Sequence, residues 1–442
     1  MRKEKGIIER PHTLLLLFGL LLLLSLAVIA DCGGGDDRDG DDGGSTPIPS
    51  GTLLFTATSN PSAGNDAVWR IAIDSAYMYV VGVDSSPGNY QGRIEKRNLS
   101  DGALSAAFGT SGVVTSNPST GTDYTTGIAI DSTYMYVVGW DSSPGNNSQW
   151  RIEKRNLSDG ALVTAFGTGG VVVSNPSASI DAALGIAVDS TYMYVVGWDS
   201  SPGTGQWRVE KRNLSDGALA AAFGTGGAVV SNPSASDDYA YSIAIDSTYM
   251  YVVGYDSSPG NGQGRIEKRN LSDGALAAAF GASGVVTSNP SASIDAALWI
   301  AIDSAYMYVV GYDSSPGNGQ WRIEKRNLSD GALAAAFGTG GAVVSNPSAS
   351  DDYAYSIAID STYMYVVGYD SSPGNGQGRI EKRNLSDGAL AAAFGASGVV
   401  TSNPSAGDDA ALGIAIDSAY MYVVGIDSSP GNPQGRIEKM IK

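Results

Sequence analysis

The hexapeptide Tyr-Met-Tyr-Val-Val-Gly occurs seven times, beginning at Tyr77, Tyr134, Tyr192, Tyr249, Tyr306, Tyr363 and Tyr420, at steps of 57, 58, 57, 57, 57 and 57 residues. A fixed period in this range marks stacked or radial repeats. One such unit is too small and too rich in glycine to bury a core alone, so the copies must share one. Residues 232–288 and 346–402 are identical throughout. Whatever chemistry one copy offers, the others nearly all offer too.

Within residues 232–288 the pattern predicts four strands. Residues 242–246 alternate large and small, and 249–253 are aromatic and β-branched, as suits a buried strand. Residues 264–269 alternate charge with Ile266, suggesting a strand with one solvated face, and 284–288 make the fourth. Turn formers separate them: Asp246-Ser247, the run 256–261, Ser272-Asp273-Gly274 and Asn289-Pro290-Ser291. Residues 275–280 read either as a helical turn or as a loop whose Leu276 and Phe280 plug the core. Four short antiparallel strands per unit describe one blade of a β-propeller, and seven units predict an all-β, seven-bladed ring over residues 52–442, with repeats starting near 60, 117, 175, 232, 289, 346 and 403. A β-solenoid is the rival.

The two ends support a closed ring. The seventh copy stops in its third strand at Lys442, while residues 53–59 precede the first copy in the fourth-strand slot. Pairing them would complete the last blade and remove an open sheet edge.

The stretches Arg265-Ile266-Glu267-Lys268-Arg269-Asn270, Asp273-Gly274-Ala275-Leu276, Phe280-Gly281 and Gly284-Val285-Val286 resemble the delta-60 repeat, a family of tandem β-propeller-like repeats found mainly in exported bacterial proteins. The resemblance covers about residues 53–442, with Ala277 where the family commonly has an acidic residue. It implies fold and export, and no particular activity.

Export is also read from the N-terminus. Arg2, Lys3, Lys5 and Arg10 precede an apolar run over 14–30, followed by Asp31-Cys32 and a run of Gly and Asp. This resembles a bacterial lipoprotein signal peptide over residues 1–31, with Cys32 as the lipidated residue and Asp31 where a small residue is usual. An uncleaved membrane anchor is the alternative. Residues 32–51, rich in Gly and Asp, form a disordered tether. Either way the expected location is the cell envelope, with the body tied to a membrane, at the outer membrane or cell surface.

A formal net charge of -18 argues against nucleic acid as a partner. The single cysteine and the single histidine, His12, both lie outside the repeats, so Cys-based zinc sites and Ser-His or Cys-His catalysis cannot be built there.

Strand alternation puts the inter-blade loop and the loop after the second strand on one face. The first carries Asp66, Asp123, Asp181, Asp238, Asp295, Asp352 and Asp409; the second carries Asp84, Asp141, Asp199, Asp256, Asp313, Asp370 and Asp427. Two carboxylate rings would suit a hard cation, calcium above all, although no full calcium-loop spacing is present. The competing reading is Asx-turns, each Asp accepting N–H bonds in its own loop.

The second strands end in Val83, Trp140, Trp198, Tyr255, Tyr312, Tyr369 and Ile426, and the third begin with Trp150, Trp207 and Trp321 or with Gly92, Gly264, Gly378 and Gly435. Trp140, Trp198, Tyr255, Tyr312 and Tyr369 are candidate sugar-stacking contacts; packing between blades, with an aromatic filling the gap left by a neighbouring glycine, is the alternative. Glu95, Glu153, Glu210, Glu267, Glu324, Glu381 and Glu438 stand between basic residues, where a cross-strand ion pair suits them better than acid catalysis. Trp69 and Trp299 are the main substitutions private to one copy, both apolar, and no copy stands out by a private polar cluster.

The expectation is therefore a monomeric, non-enzymatic binding scaffold, lipid-anchored and without a cofactor, its protein or glycan partner unnamed. A multivalent glycan-binding propeller is one alternative. A glycan-active hydrolase or lyase using a carboxylate pair is the other.

Overall fold

The computed structural model describes residues 48–442 apart from 144–146, 259, 316, 373 and 430. The signal peptide expected over 1–31, Cys32 and the expected tether as far as residue 47 lie outside the described residues. Pro49–Lys442 forms one compact unit. It is a seven-bladed propeller in which every blade is a four-stranded antiparallel sheet. Blade 1 runs Ala67–Ile73, Tyr77–Asp84, Gln91–Asn98, Val113–Ser116, and blades 2 to 6 repeat this pattern. Among the described residues no helix is long and apolar enough to cross a membrane.

Blade 7 joins the two ends of the chain. Leu53–Ser59 pairs antiparallel with Gln434–Ile441 as its outer strand, with Thr56 opposite Glu438 and Ser59 opposite Gly435. The chain therefore enters the ring near Pro49 on the face of the first-to-second strand turns, where Gly51 N donates to Ile441 O at 2.8 Å.

The core lies between blades. In blade 3, Tyr194 and Val196 pack with Trp207, Val209 and Phe223 against Ala240, Ile243, Met250 and Val252 of blade 4. The alternate residues Met193 and Val195 face Tyr136, Val138 and Trp150 of blade 2. Each second strand is thus covered on both faces, which is why it reads as an unbroken apolar run. At about 25 cal/mol per Å² of apolar surface removed from water, these seams are the main source of folding free energy.

Residues 275–280 are not helical. They fold as turns that bridge Arg269 to Leu276, with Phe280 fully buried and Tyr251 meeting it edge-on at 6.4 Å. Gly274 opens this loop at φ +75, with Val229 and Phe223 of the preceding blade so close that a Cβ would stand 2.7 and 2.9 Å away.

The first strand is longer than the alternation predicts, beginning at Tyr239 in blade 4, because a bulge interrupts it between Ala240 and Ser242. The same bulge recurs in all seven blades, at Trp69, Thr126, Leu184, Tyr241, Leu298, Tyr355 and Leu412. An extra residue breaks the period of two that alternation relies on.

Deleting residues 53–59 from the full chain should expose the edge of Gln434–Ile441 and lower the melting temperature by roughly 5–10 °C. Light scattering should show self-association through that edge. An unchanged melting temperature and a monomeric mass would mean that the ring does not depend on this strand.

Candidate functional site

The structure draws the repeated carboxylates into the loops and seams. Asp238 is fully buried: its Oδ1 accepts from Ser257 N at 2.8 Å and its Oδ2 from Ser234 N at 3.2 Å. The same Ser pair grips Asp66, Asp123, Asp181, Asp295, Asp352 and Asp409. Burial pushes the Asp181, Asp238, Asp295, Asp352 and Asp409 carboxyls up, and these hydrogen bonds oppose it. In the second ring, Asp256 Oδ1 accepts from Ser258 N at 2.7 Å, and Oδ2 from Gln263 Nε2 at 3.2 Å and Arg265 Nη1 at 3.1 Å. Asp84, Asp141, Asp199, Asp313, Asp370 and Asp427 make the equivalent arginine contacts. All fourteen residues are at most 2 % exposed. The bonds from Ser234 N and Ser258 N are the own-loop turn contacts the spacing also suggested, while those from Ser257 N, Gln263 and Arg265 tie each carboxylate to other segments of the blade. Among the described residues, no group of three His, Cys, Asp or Glu side chains is placed to share a metal ion.

The charged third strand departs from expectation, because its charged face is not solvated. Glu267 is 1 % exposed; Arg265 Nε donates to its Oε1 at 2.9 Å and Arg269 Nε to its Oε2 at 2.8 Å. The partners are two residues away on the same strand, whose side chains share one face, rather than across the sheet. Ser231 Oγ, on the outer strand of the preceding blade, adds a third bond at 2.6 Å. The serine-to-glutamate bond closes round the ring at Ser59–Glu95, Ser116–Glu153, Ser174–Glu210, Ser231–Glu267, Ser288–Glu324, Ser345–Glu381 and Ser402–Glu438. Lys268 crosses the next seam to Leu328 O at 2.7 Å, with its ammonium 4.0 Å from the centre of the Tyr249 ring. Burial alone would raise the Glu267 carboxyl; Arg269 and then Arg265, with Ser231, outweigh it and hold the group below the usual carboxylate range. Glu95, Glu153, Glu210 and Glu324 behave alike.

The aromatic residues divide into two sets. Trp150, Trp207 and Trp321 are buried between blades and donate Nε1–H to Trp198 O, Tyr255 O and Tyr369 O of the next blade, each at 2.9 Å. Where glycine stands instead, the seam keeps a crevice, about 20 Å³ beside Gly264 and about 10 Å³ beside Gly92 and Gly378. The candidate stacking residues form arcs near the axis. Tyr124 stacks on Trp140 at 4.5 Å, Tyr239 lies between Trp198 and Tyr255, and Tyr353 between Tyr312 and Tyr369. Trp198 and Tyr255 are buried in this packing, while Trp140, Tyr312 and Tyr369 remain half-buried.

The copies differ most where the seven first strands surround the central channel. The bulged residues Leu184, Tyr241 and Leu298 of adjacent blades cluster together, and Tyr355 occupies the same position in blade 6. One residue further along stand Arg70, Gly127, Gly185, Ser242, Trp299, Ser356 and Gly413. Arg70 is a polar substitution private to blade 1, visible in the sequence only once this column is aligned by register. Its guanidinium carbon lies 4.2 Å from the centre of the Trp299 ring in blade 5. Blades 1 and 5 are not neighbours, so this contact crosses the channel. Arg70 Nη1 donates to Trp69 O and Leu412 O, both at 2.8 Å. The Arg70 Nε and Trp69 Nε1 donors are buried without a partner. Burial, with no carboxylate to offset it, brings the Arg70 guanidinium down to about 10. Desolvating such a cation costs several kcal/mol, while the indole face returns about 0.5–2 kcal/mol.

No protein-family model matches the chain, and no curated protein matches it. Among solved structures, the plexin A4 extracellular region aligns with a TM-score of 0.49 at 9% identity, covering 88% of this chain and 47% of that one. The chain thus spans about half the length of the plexin region it matches. Sqt1 from Chaetomium thermophilum aligns at 0.40 and 11% identity, covering 87% of this chain and 100% of that one. A mutant Trypanosoma rangeli sialidase displaying trans-sialidase activity aligns at 0.37 and 8% identity, covering 89% and 58%.

Glu267→Gln should destabilise the protein by about 3–5 kcal/mol, since it leaves the buried Arg269 guanidinium without an anion and Arg265 with Asp256 alone. Denaturant unfolding measures this, and a change within error would show that the seam does not rely on the charge. Glu95, Glu153, Glu210, Glu267 and Glu324 are held low, so their stabilisation is complete above the unfolded value of about 4.3 and is lost as pH falls through the folded values. The raised inter-blade aspartates act in the opposite direction, favouring the folded state as they protonate. Melting curves from pH 7 to pH 3 should fall at the acid end, less steeply in Glu267→Gln.

Proposed function

We propose that the chain is a non-enzymatic binding module whose ligand site is the mouth of the central channel. The observation that carries this reading is where the copies diverge. Blades 4 and 6 are identical, yet the columns facing the axis hold Trp69, Arg70, Tyr241, Trp299 and Tyr355 amid Gly, Ser, Thr and Leu. A repeated protein that needs one recognition site has to build it from the positions at which its repeats disagree.

The carboxylates that a glycan hydrolase would require are the ones engaged in seams and turns, and this favours binding over catalysis. Glycan binding is a second reading, favoured by the half-buried rings of Trp140, Tyr312 and Tyr369 around the same mouth. The chain belongs in this proposal to the exported delta-60-type repeats, lipid-anchored through Cys32 in the cell envelope. Gly51, at the start of the propeller, lies on the face opposite the aromatic arcs.

Glycan-array binding of the full chain, compared with the double variant Tyr241→Leu and Tyr355→Leu, tests the site. Leucine already fills this column at Leu184, Leu298 and Leu412, so the variant should fold. Binding should weaken about tenfold or more, at roughly 1 kcal/mol or more per lost aromatic contact. Undiminished binding would move the site elsewhere, and turnover of fluorogenic glycosides would overturn the non-enzymatic reading. Cys32→Ser should shift the protein from the membrane fraction to the soluble one; retention would count against the lipid anchor.

A further inference from the structure

We propose that Arg70 is the seat for a carboxylate group on the ligand, held inside the channel against the Trp299 ring. This rests on reading the channel mouth as the binding site. It adds the chemical class of what enters it.

Arg70 has no structural task that its column requires. The equivalent positions in the other six blades hold three glycines, two serines and one tryptophan, and those blades close their seams without a cation here. A chain with a formal net charge of -18 has carboxylates to spare, yet among the described residues none forms an ion pair with this guanidinium. Every arginine of the third strands that these ion pairs include is matched with Glu or Asp. Arg70 is the exception.

The unspent donors define the seat. Nη1 is occupied by two bulge carbonyls and the guanidinium plane is covered by Trp299, which fixes the group in place. Nε remains buried without an acceptor, as does the indole Nε1–H of the adjacent Trp69. Water could accept one of these hydrogen bonds, but it would leave the positive charge uncompensated. A carboxylate supplies both an acceptor and the missing charge, and its planar oxygens match the guanidinium fork. The Trp299 indole, one face of which already covers the guanidinium, leaves part of its surface exposed for the apolar or ring portion that carries it. Two sources present this chemistry: a free small organic acid, and a uronic-acid residue within a glycan.

The test is a titration of the full chain with acetate, glucuronate, chloride and sulfate, read by melting temperature and by tryptophan emission, since Trp69 and Trp299 flank Arg70. Acetate or glucuronate should give a saturable rise in melting temperature and a saturable emission change, with little response to chloride or sulfate. A response to glucuronate well above that to acetate assigns the uronic-acid source; the reverse assigns the free acid. Arg70→Ser, which installs the residue found at Ser242 and Ser356, should weaken the carboxylate about 10- to 100-fold, the loss of one charge-assisted pair. Should that variant fail to fold, Arg70→Gly takes its place, as Gly127, Gly185 and Gly413 do. No carboxylate response in the wild type, an equal response in the variant, or equal protection by chloride and sulfate would each overturn the seat. Failure of the channel-mouth reading is separable: Tyr241→Leu with Tyr355→Leu would leave glycan binding intact, while acetate still distinguished Arg70 from Ser.

Discussion

At every seam of the ring a glutamate accepts a serine hydroxyl from the blade before it, and in six of the seven it lies between two arginines of its own strand, Met440 replacing the second beside Glu438. Buried groups of this kind add little net stability over an apolar seam of equal volume, but breaking one leaves uncompensated charge. Their bonds are also directional. A blade displaced by one strand position would bring Ser231 against Ile266 or Lys268 instead of Glu267. That matters in a chain where blades 4 and 6 have the same sequence and apolar packing alone cannot tell one seam from another. The seventh serine, Ser59, comes from the N-terminal strand, so the polar seam and the closure of the ring are completed by the same seven residues.

This seam also decides where function can reside. The repeated Asp and Glu residues look, as a sequence, like a multivalent acidic surface. Folded, they are the means by which loops and blades are held. What is left over is the axis, where seven innermost strands converge and each contributes a bulged residue. Seven equal blades would make a featureless channel; Trp69, Arg70, Tyr241, Trp299 and Tyr355 make it lopsided. Arg70 and Trp299 reach each other across it from blades that are not neighbours in the ring.

Much of this fold was legible in residue order. The spacing of the Tyr-Met-Tyr-Val-Val-Gly motif set the blade number, and the missing fourth strand of the seventh copy located its replacement at 53–59. The long apolar second strand followed from its composition. The first strand outruns its alternation because the bulge at Tyr241 breaks the period of two. Alternating Ile and charge implies a solvated face for the third strand, which is its meaning in an isolated sheet. In the ring, Arg265, Glu267 and Arg269 face a neighbouring blade, and no local pattern reports what a neighbour will supply. Arg70 is hidden for a related reason: between Trp69 and Ile71 it looks like an ordinary surface residue, and only its register places it on the axis.

The sequence by itself determined the number of blades, their strand order and the joining of the two chain ends, because these follow from period and count. Whether a given charge meets water or a partner was decided only by the tertiary structure. Burial is a property of what lies opposite a side chain, and in a propeller that is another blade, about 57 residues away along the chain. The same fact separates the interior carboxylates from the lone guanidinium of the channel, which the fold surrounds but does not neutralise.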